Sequence, residues 1–280
     1  MNIQSAIKKG QLILESKKIK TAELDSYVLM SKAINKERKF LILNSEEKIS
    51  KKNLENFNTL IEQRANGKPV AYLIEKKDFW KYEFIVNKDV LIPRPDSETL
   101  VEEVLKLTKN KNKLRLLDIG IGSGCILFSI LKEKKNFYGV GIDISNKSLN
   151  ICKVNSHKLR LKNRVKLINS DIDNFNYGKY DLIISNPPYI KQRVLKCLEK
   201  DVINFEPKCA LDGGLNGLSE IRKVISKSSE LIKKKGLLIL EIGFDQKKSV
   251  RKILNDKGFY IKEMVKDLAN NDRCIISVKI

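Results

Sequence analysis

The stretch Leu114-Arg115-Leu116-Leu117-Asp118-Ile119-Gly120-Ile121-Gly122-Ser123-Gly124 decides the fold, because it joins a short apolar run to a glycine-rich loop. Cys125 to Leu131 then continue as an apolar stretch. A buried strand, a glycine loop and a helix in that order make a nucleotide-type site. Glycine lets the backbone approach a ligand closely, and a helix N-terminus presents free N–H groups. Gly120, Gly122 and Gly124 follow a Gly-x-Gly-x-Gly spacing, which departs from the Gly-x-Gly-x-x-Gly pyrophosphate fingerprint. Taken alone, such a loop also fits a strand–helix turn whose glycines are purely steric.

The next strand-like run, Tyr138-Gly139-Val140-Gly141-Ile142-Asp143, ends in a carboxylate 23 positions after Gly120, near the spacing of about 20 residues at which an acid meets ribose hydroxyls. Asp143 also fits as a cap for the following helix, but Ser145 can fill that role. Position favours the ribose. A further run, Tyr180-Asp181-Leu182-Ile183-Ile184-Ser185, is β-branched and apolar and is stopped by Asn186-Pro187-Pro188-Tyr189. Proline has no N–H to donate, so the sheet ends here and the loop is stiff, at the strand edge where open α/β sheets bind ligands. The loop carries an amide, a free carbonyl on Pro187 and an aromatic ring, which together suit a flat, conjugated NH2 group. The alternative is a proline-rich turn with Tyr189 capping the core.

In combination, these motifs resemble S-adenosylmethionine-dependent methyltransferases acting on planar nitrogens, a class that spans adenine-N6 enzymes of DNA and RNA and protein-glutamine N5-methyltransferases. Three more segments separate the two: Arg64-Ala65-Asn66-Gly67-Lys68-Pro69-Val70-Ala71-Tyr72, Val90-Leu91-Ile92-Pro93-Arg94-Pro95-Asp96-Ser97-Glu98, and Glu206-Pro207-Lys208-Cys209-Ala210-Leu211-Asp212-Gly213-Gly214-Leu215-Asn216-Gly217-Leu218. They resemble the release factor glutamine methyltransferase (HemK/PrmC) family, from about residue 20 to the C-terminus. Ser97 stands where that family usually has Thr, Ile121 where it has Thr or a small residue, and Asp212 at a variable position.

The resemblance implies methyl transfer from S-adenosylmethionine to the side-chain N5 of the glutamine in the Gly-Gly-Gln motif of class-1 peptide chain release factors, in support of translation termination. It implies catalytic roles for Asn186, Pro187 and Tyr189, with Pro188 joining them around the substrate. Gly120, Ile121, Gly122, Ser123, Gly124, Asp143, Ile172 and Asn186 are the expected cofactor contacts, with Asp171 as the other candidate beside Ile172. Arg94, Asp96 and Glu98 fit either an ordered site mouth or a structural ion pair. Arg64 and Tyr72 fit packing better than substrate contact. The competing function is an adenine-N6 methyltransferase, which needs a means of holding a flipped base.

Composition narrows the choice. The chain has 280 residues, 42% of them hydrophobic, which suits two packed domains. Lys8 and Lys9 interrupt any N-terminal apolar run, and no stretch reaches the ~20 apolar residues of a membrane span, so a cytoplasmic protein is expected. Five scattered cysteines and a single histidine argue against a metal cluster and against a Ser-His or Cys-His nucleophile. The net charge of +21 invites a nucleic-acid partner, yet lysine outnumbers arginine more than fourfold and is spread along the chain. Arginine is the more geometric reader of phosphate and base, so a solvated basic surface is the simpler reading; direct nucleic-acid binding is compatible but not required.

The expected architecture is α/β: a Rossmann-like, seven-stranded methyltransferase domain over 96–280, preceded by a helical substrate-recruiting domain over 1–75 and a β-hairpin connector over 76–95. Leu54, Phe57, Leu60 and Ile61 mark a helix face after a Ser50 cap, and Ala22, Val28, Leu29 and Ala33 mark another. The hairpin is expected to turn near Asn87-Lys88-Asp89. Strands are expected near 114–118, 137–142, 165–169, 180–185, 236–242, 258–264 and 273–279. The link before the last is too short for a crossover helix, so that strand should run antiparallel.

Overall fold

The computed structural model describes residues 1–280, which form two compact units. The first contains Met1–Lys76 together with Glu199–Phe205. Its helices are α1 (Ile3–Ser16), α2 (Ala22–Ile34), α3 (Arg38–Leu43), α4 (Lys51–Ala65) and α5 (Val70–Ile74). Local chemistry sets several of their ends. The Asn2 side chain accepts from Ser5 N (2.8 Å) at the start of α1, and Ser50 Oγ accepts from Asn53 N (3.3 Å) at the start of α4. Asn35 ends α2 in the left-handed conformation.

Periodic apolar positions then pack Ile7, Leu14, Leu29, Met30, Phe57 and Ile61 into one core, with Leu54 and Leu60 at its margin. Arg64 donates from Nε to buried Asp25 Oδ2 (2.7 Å) and lies 3.9 Å from Asp201 in the returning segment. It is a packing residue of this unit.

The second unit contains Lys77–Leu198 and Glu206–Ile280. Strands β1 (Lys76–Phe79) and β2 (Tyr82–Ile85) form a two-stranded sheet. The chain reverses at Trp80-Lys81, not at Asn87-Lys88-Asp89 as the turn residues suggest. Trp80 takes a left-handed φ of 58° that its residue type disfavours. Tertiary partners hold it there: Glu98 Oε1 accepts from Trp80 N (2.7 Å), and Glu133 Oε1 accepts from the indole Nε1 (3.3 Å) and from Tyr82 Oη (3.0 Å). Asn87 and Asp89 do form a turn, but it lies beyond the hairpin, where Asn87 Oδ1 accepts from Asp89 N.

The main sheet contains β3 (Arg115–Ile119), β4 (Tyr138–Asp143), β5 (Val165–Asn169), β6 (Tyr180–Ser185), β7 (Ile232–Glu241), β8 (Phe259–Lys266) and β9 (Asp272–Lys279), in the order β5-β4-β3-β6-β7-β9-β8. Strands β3 to β7 pair in parallel, whereas β9 is antiparallel to both β7 and β8 and sits between them. The helices of this unit are α6 (Glu98–Leu107), α7 (Cys125–Glu133), α8 (Asn146–Lys158), α9 (Gln192–Leu195), α11 (Ser219–Leu231) and α12 (Lys247–Asp256); the short α10 (Lys200–Phe205) belongs to the first unit.

Both sheet faces are buried, which explains why the strands read as unbroken apolar runs. Leu116, Leu182, Ile184 and Ile239 pack on one face, and Leu117, Ile183, Leu238 and Leu240 on the other. The chain leaves β3 toward β4 on one side and later returns as β6 on the other, so the strand order reverses at β3/β6. A crevice at the carboxyl ends of these strands is the usual consequence.

Candidate active site

The crevice is a cavity of about 350 Å³ lined by residues that follow β3, β4, β5 and β6. Of the residues singled out in the sequence, Gly120, Gly122, Asp143, Asp171, Ile172, Asn186, Pro187 and Pro188 line it. Ile121, Ser123, Gly124 and Tyr189 do not. The Ile121 side chain is instead buried in the core, and Ser123 is buried with its carbonyl taken by Asn155. Gly120 has a φ of 75°, and a Cβ built on it would meet nothing within 4 Å, so the missing side chain leaves open cavity.

Asp143 faces the cavity at the end of β4 but is not free of the protein. Its Oδ2 accepts from Gly122 N (3.0 Å) and Ser148 Oγ (3.1 Å), and its Oδ1 accepts from Ser145 N (2.9 Å). Ser145 is the N-cap of α8, accepting from Ser148 N (3.2 Å). A carboxylate has about four acceptor positions, so Oδ1 retains capacity for one further donor.

The glycine loop is braced from behind by Asn155, which has no exposed surface. Its Oδ1 accepts from Ile85 N (2.7 Å), and its Nδ2 donates to Ile85 O and Ser123 O (both 2.9 Å). One amide thereby ties the hairpin to the loop.

The Asn186–Tyr189 loop is held from three directions. Ser185 Oγ donates to Ile119 O (2.7 Å), which joins the ends of β6 and β3. The segment after the tetrapeptide pairs with the glycine-rich motif at 206–218: Ile190 N donates to Leu211 O (3.1 Å), and Gly213 N donates to Ile190 O (2.9 Å). A Cβ on Gly213 would lie 2.8 Å from Tyr189 Cα, and one on Gly217 2.4 Å from Tyr189 O, so glycine is required by close approach. Finally, the buried Gln246 donates from Nε2 to Tyr189 O (3.0 Å) and Gly217 O (2.9 Å) and accepts from Gly243 N.

Beneath the loop lies a polar chain. Asn186 Nδ2 donates to Ser97 Oγ (3.0 Å), and Ser97 Oγ donates to Glu241 Oε2 (2.5 Å). Tyr189 Oη donates to Glu241 Oε1 (3.2 Å) and accepts from Arg273 Nη1 (3.2 Å). Burial pushes the Glu241 carboxyl up, while the Ser97 hydrogen bond and the Arg273 charge pull it back. Burial, with Glu241's charge second, pushes the Tyr189 phenol well above its ordinary value, so Tyr189 stays neutral and is no base. Arg94 donates to Glu206 (2.5 Å), whose other oxygen accepts from Ile92 N (3.1 Å), and Asp96 lies 3.4 Å from Arg273. These are structural ion pairs. Glu98, the third residue of that group, accepts from Trp80 N.

Ser97, Glu241, Gln246 and Asn155 have site contacts that local sequence does not announce. The available signal for Glu241 was a charged residue ending the apolar run Leu237-Leu238-Ile239-Leu240, the same signal that singled out Asp143.

Asp118 is buried in β3, and its Oδ2 has no hydrogen-bond partner. Burial first, and the charge of Asp143 second, push its carboxyl up to about 7. The unfolded chain ionises near 3.8, so between these values the folded protein binds a proton that the unfolded chain does not. Asp118's contribution to stability therefore falls as pH rises from about 4 to about 7 and stays lost above that. Replacing Asp118 with Asn is expected to stabilise the protein by on the order of 2 kcal/mol at about pH 8 and much less at about pH 5. Thermal unfolding of both proteins across that range checks this, and a pH-independent difference would refute it.

Residues 5–74 match the PrmC N-terminal domain, and residues 95–209 match the methyltransferase small domain. A methyltransferase structure from Pyrococcus furiosus aligns with a TM-score of 0.55 at 17% identity, covering 80% of this chain and 98% of that one, which shows the shared fold. The release factor glutamine methyltransferase of Clostridium acetobutylicum is 37% identical over 282 residues, covering 100% of this chain and 99% of its own. That of Caulobacter vibrioides is 35% identical over 257 residues, covering 91% and 89%. With that identity over its full length, and with both domains matched, the chain belongs to the release factor glutamine methyltransferase family.

Proposed function

We propose that this protein transfers a methyl group from S-adenosylmethionine to the side-chain N5 of the glutamine in the Gly-Gly-Gln motif of class-1 peptide chain release factors. The observation that carries the reading is the Asn186 amide at the cavity wall, with its Nδ2 engaged by Ser97 and no donor of the chain on its Oδ1. A free carbonyl oxygen beside the Pro187 backbone carbonyl, which has no N–H neighbour of its own, suits the two N–H groups of a primary amide.

The residues present fit the cofactor. The cavity lies within the range of small-molecule sites, Gly120 leaves room where a side chain would intrude, and Asp143 keeps one acceptor position for a ribose hydroxyl. Gly120, Gly122, Asp143 and Ile172 would hold it, with Ile172 as an apolar wall. When bound, it supplies an electrophilic methyl group on a sulfonium.

The protein's own task follows from the weakness of an amide nucleophile, whose lone pair is delocalised into its carbonyl. Asn186 Oδ1 and Pro187 O accept the two amide N–H groups and aim the nitrogen into the cavity, an orientation effect worth up to ~7–11 kcal/mol. The same two acceptors stabilise the positive charge that grows on nitrogen as its new bond forms. The nitrogen becomes strongly acidic at that moment, so water suffices to take the proton. Tyr189, neutral and tied down by its hydroxyl, shapes the loop and does not move a proton. The helical first unit is assigned the recruitment of the protein substrate.

Incubation with methyl-tritiated S-adenosylmethionine and, in parallel, a purified class-1 release factor and adenine-containing DNA and RNA tests this reading. Label on the Gly-Gly-Gln peptide, located by mass spectrometry, is the expected result. Label on nucleic acid alone would overturn the substrate assignment.

A further inference from the structure

We propose that Ser97 and Glu241 are positioning residues that form a one-way hydrogen-bond relay, and that this relay fixes which end of the Asn186 amide faces the cavity. The inference rests on the glutamine reading for its consequence but on geometry for its substance.

An asparagine amide is nearly symmetric in shape and opposite in polarity at its two ends. Turned by half a rotation, Asn186 would present Nδ2 to a substrate amide, and two NH2 groups would oppose each other. Nothing in the Asn-Pro-Pro-Tyr loop itself selects between the two orientations. The selection comes from the buried carboxylate at the end of β7. Both oxygens of Glu241 act as acceptors, and Ser97 directs its one proton to Oε2 at 2.5 Å. Ser97 Oγ is then an acceptor toward Asn186, which must present Nδ2 at 3.0 Å and leave Oδ1 as its outward end.

The other oxygen of Glu241 is governed in the same way. Arg273 carries only donors, so Tyr189 Oη accepts from it at 3.2 Å and must donate to Oε1. Both neighbours of the carboxylate are thereby donors, and its polarity is set from both sides. Arg273 is itself anchored by Asp267 (2.8 Å), which keeps the cation in place. Glu241 is 1% exposed, so water does not offer the relay an alternative partner. The Ser97 hydroxyl is the only function the relay needs at that position, and threonine preserves it.

The test uses the full-length protein in four forms: wild type, Glu241→Gln, Ser97→Ala and Ser97→Thr. In the free protein, nuclear Overhauser contacts should connect the Asn186 Nδ2 protons to the Ser97 β protons. The amide introduced by Glu241→Gln can donate to Ser97, which then donates to Asn186 Oδ1, so that contact should disappear in this variant. With a Gly-Gly-Gln substrate, kcat/KM should fall about 100-fold in Glu241→Gln and Ser97→Ala, and stay within a few-fold of wild type in Ser97→Thr. S-adenosylmethionine affinity, measured by calorimetry, should remain within a few-fold in all four.

An unchanged Asn186 contact in Glu241→Gln overturns the relay, and so does near-normal turnover by Ser97→Ala. If Glu241→Gln does not fold, the Ala/Thr pair at Ser97 still decides, because side-chain packing alone would not be rescued by a hydroxyl of different shape. If the wild type methylates no glutamine substrate while the contact is lost in Glu241→Gln, the relay stands and the glutamine reading falls.

Discussion

Replacing Asn186 with alanine is expected to reduce methyl transfer by about 10²–10³-fold while leaving S-adenosylmethionine affinity within a few-fold. The expectation follows from where the side chain is and what already holds it. Asn186 is at the cavity wall, on a loop whose backbone is fixed independently by Ser185, Gln246 and the pairing of Ile190 with Leu211. Truncation at Cβ therefore removes the acceptor without freeing the loop. In the proposed reaction the lost oxygen would hold a nitrogen that gains positive charge only during transfer, so the effect is expected in kcat more than in binding. Single-turnover kinetics with calorimetry on the same preparation separates the two. A variant that loses cofactor binding but transfers normally when saturated would show that Asn186 serves the cofactor instead.

A second large effect is expected from Gly120→Val. The φ of 75° costs a branched residue about 1–2 kcal/mol, which a domain of this size tolerates. The functional loss is greater, because the added side chain extends into the space where a Cβ meets nothing within 4 Å. Cofactor affinity should fall by about 100-fold or more, well beyond the effect of strain. The circular dichroism spectrum should be retained and the unfolding temperature only slightly lowered. Wild-type affinity in this variant would mean that the cofactor does not use the cavity beside Gly120.

The family, the seven strands and the loop that carries Asn186 were legible in the sequence because each is encoded locally. Tyr180–Ser185 is apolar on both faces and stopped by prolines, so its limits coincide with those of β6. The short link before the last strand correctly required an antiparallel partner. The limits expected for β5, 165–169, also coincide, whereas those of the other strands shifted by a residue or more: β7 begins at Ile232, where the three lysines Lys233, Lys234 and Lys235 mask strand character.

The hairpin turn was misplaced for a related reason. Asn87 and Asp89 have the composition of a turn, whereas Trp80 turns only because Glu98 and Glu133, both distant in sequence, hold it. Gly120, Gly122 and Asp143, singled out by spacing, line the cavity, whereas Gly124 does not and Asp143's three internal donors had no local signal. Ile121 reads as part of the ligand loop and proves to be core.

By itself, then, the sequence determined which segments are strands, which loops end them, and which side chains stand at those ends, since periodicity, proline and glycine act over a few residues. Tertiary structure alone decided that β9 inserts between β7 and β8, and that Glu241 meets both Ser97 and Tyr189. Runs that are apolar on both faces carry no label for their neighbours, so strand order is settled by the packing of the whole sheet. A carboxylate buried at the end of one such strand likewise acquires its partners, and with them its chemistry, only when that packing is complete.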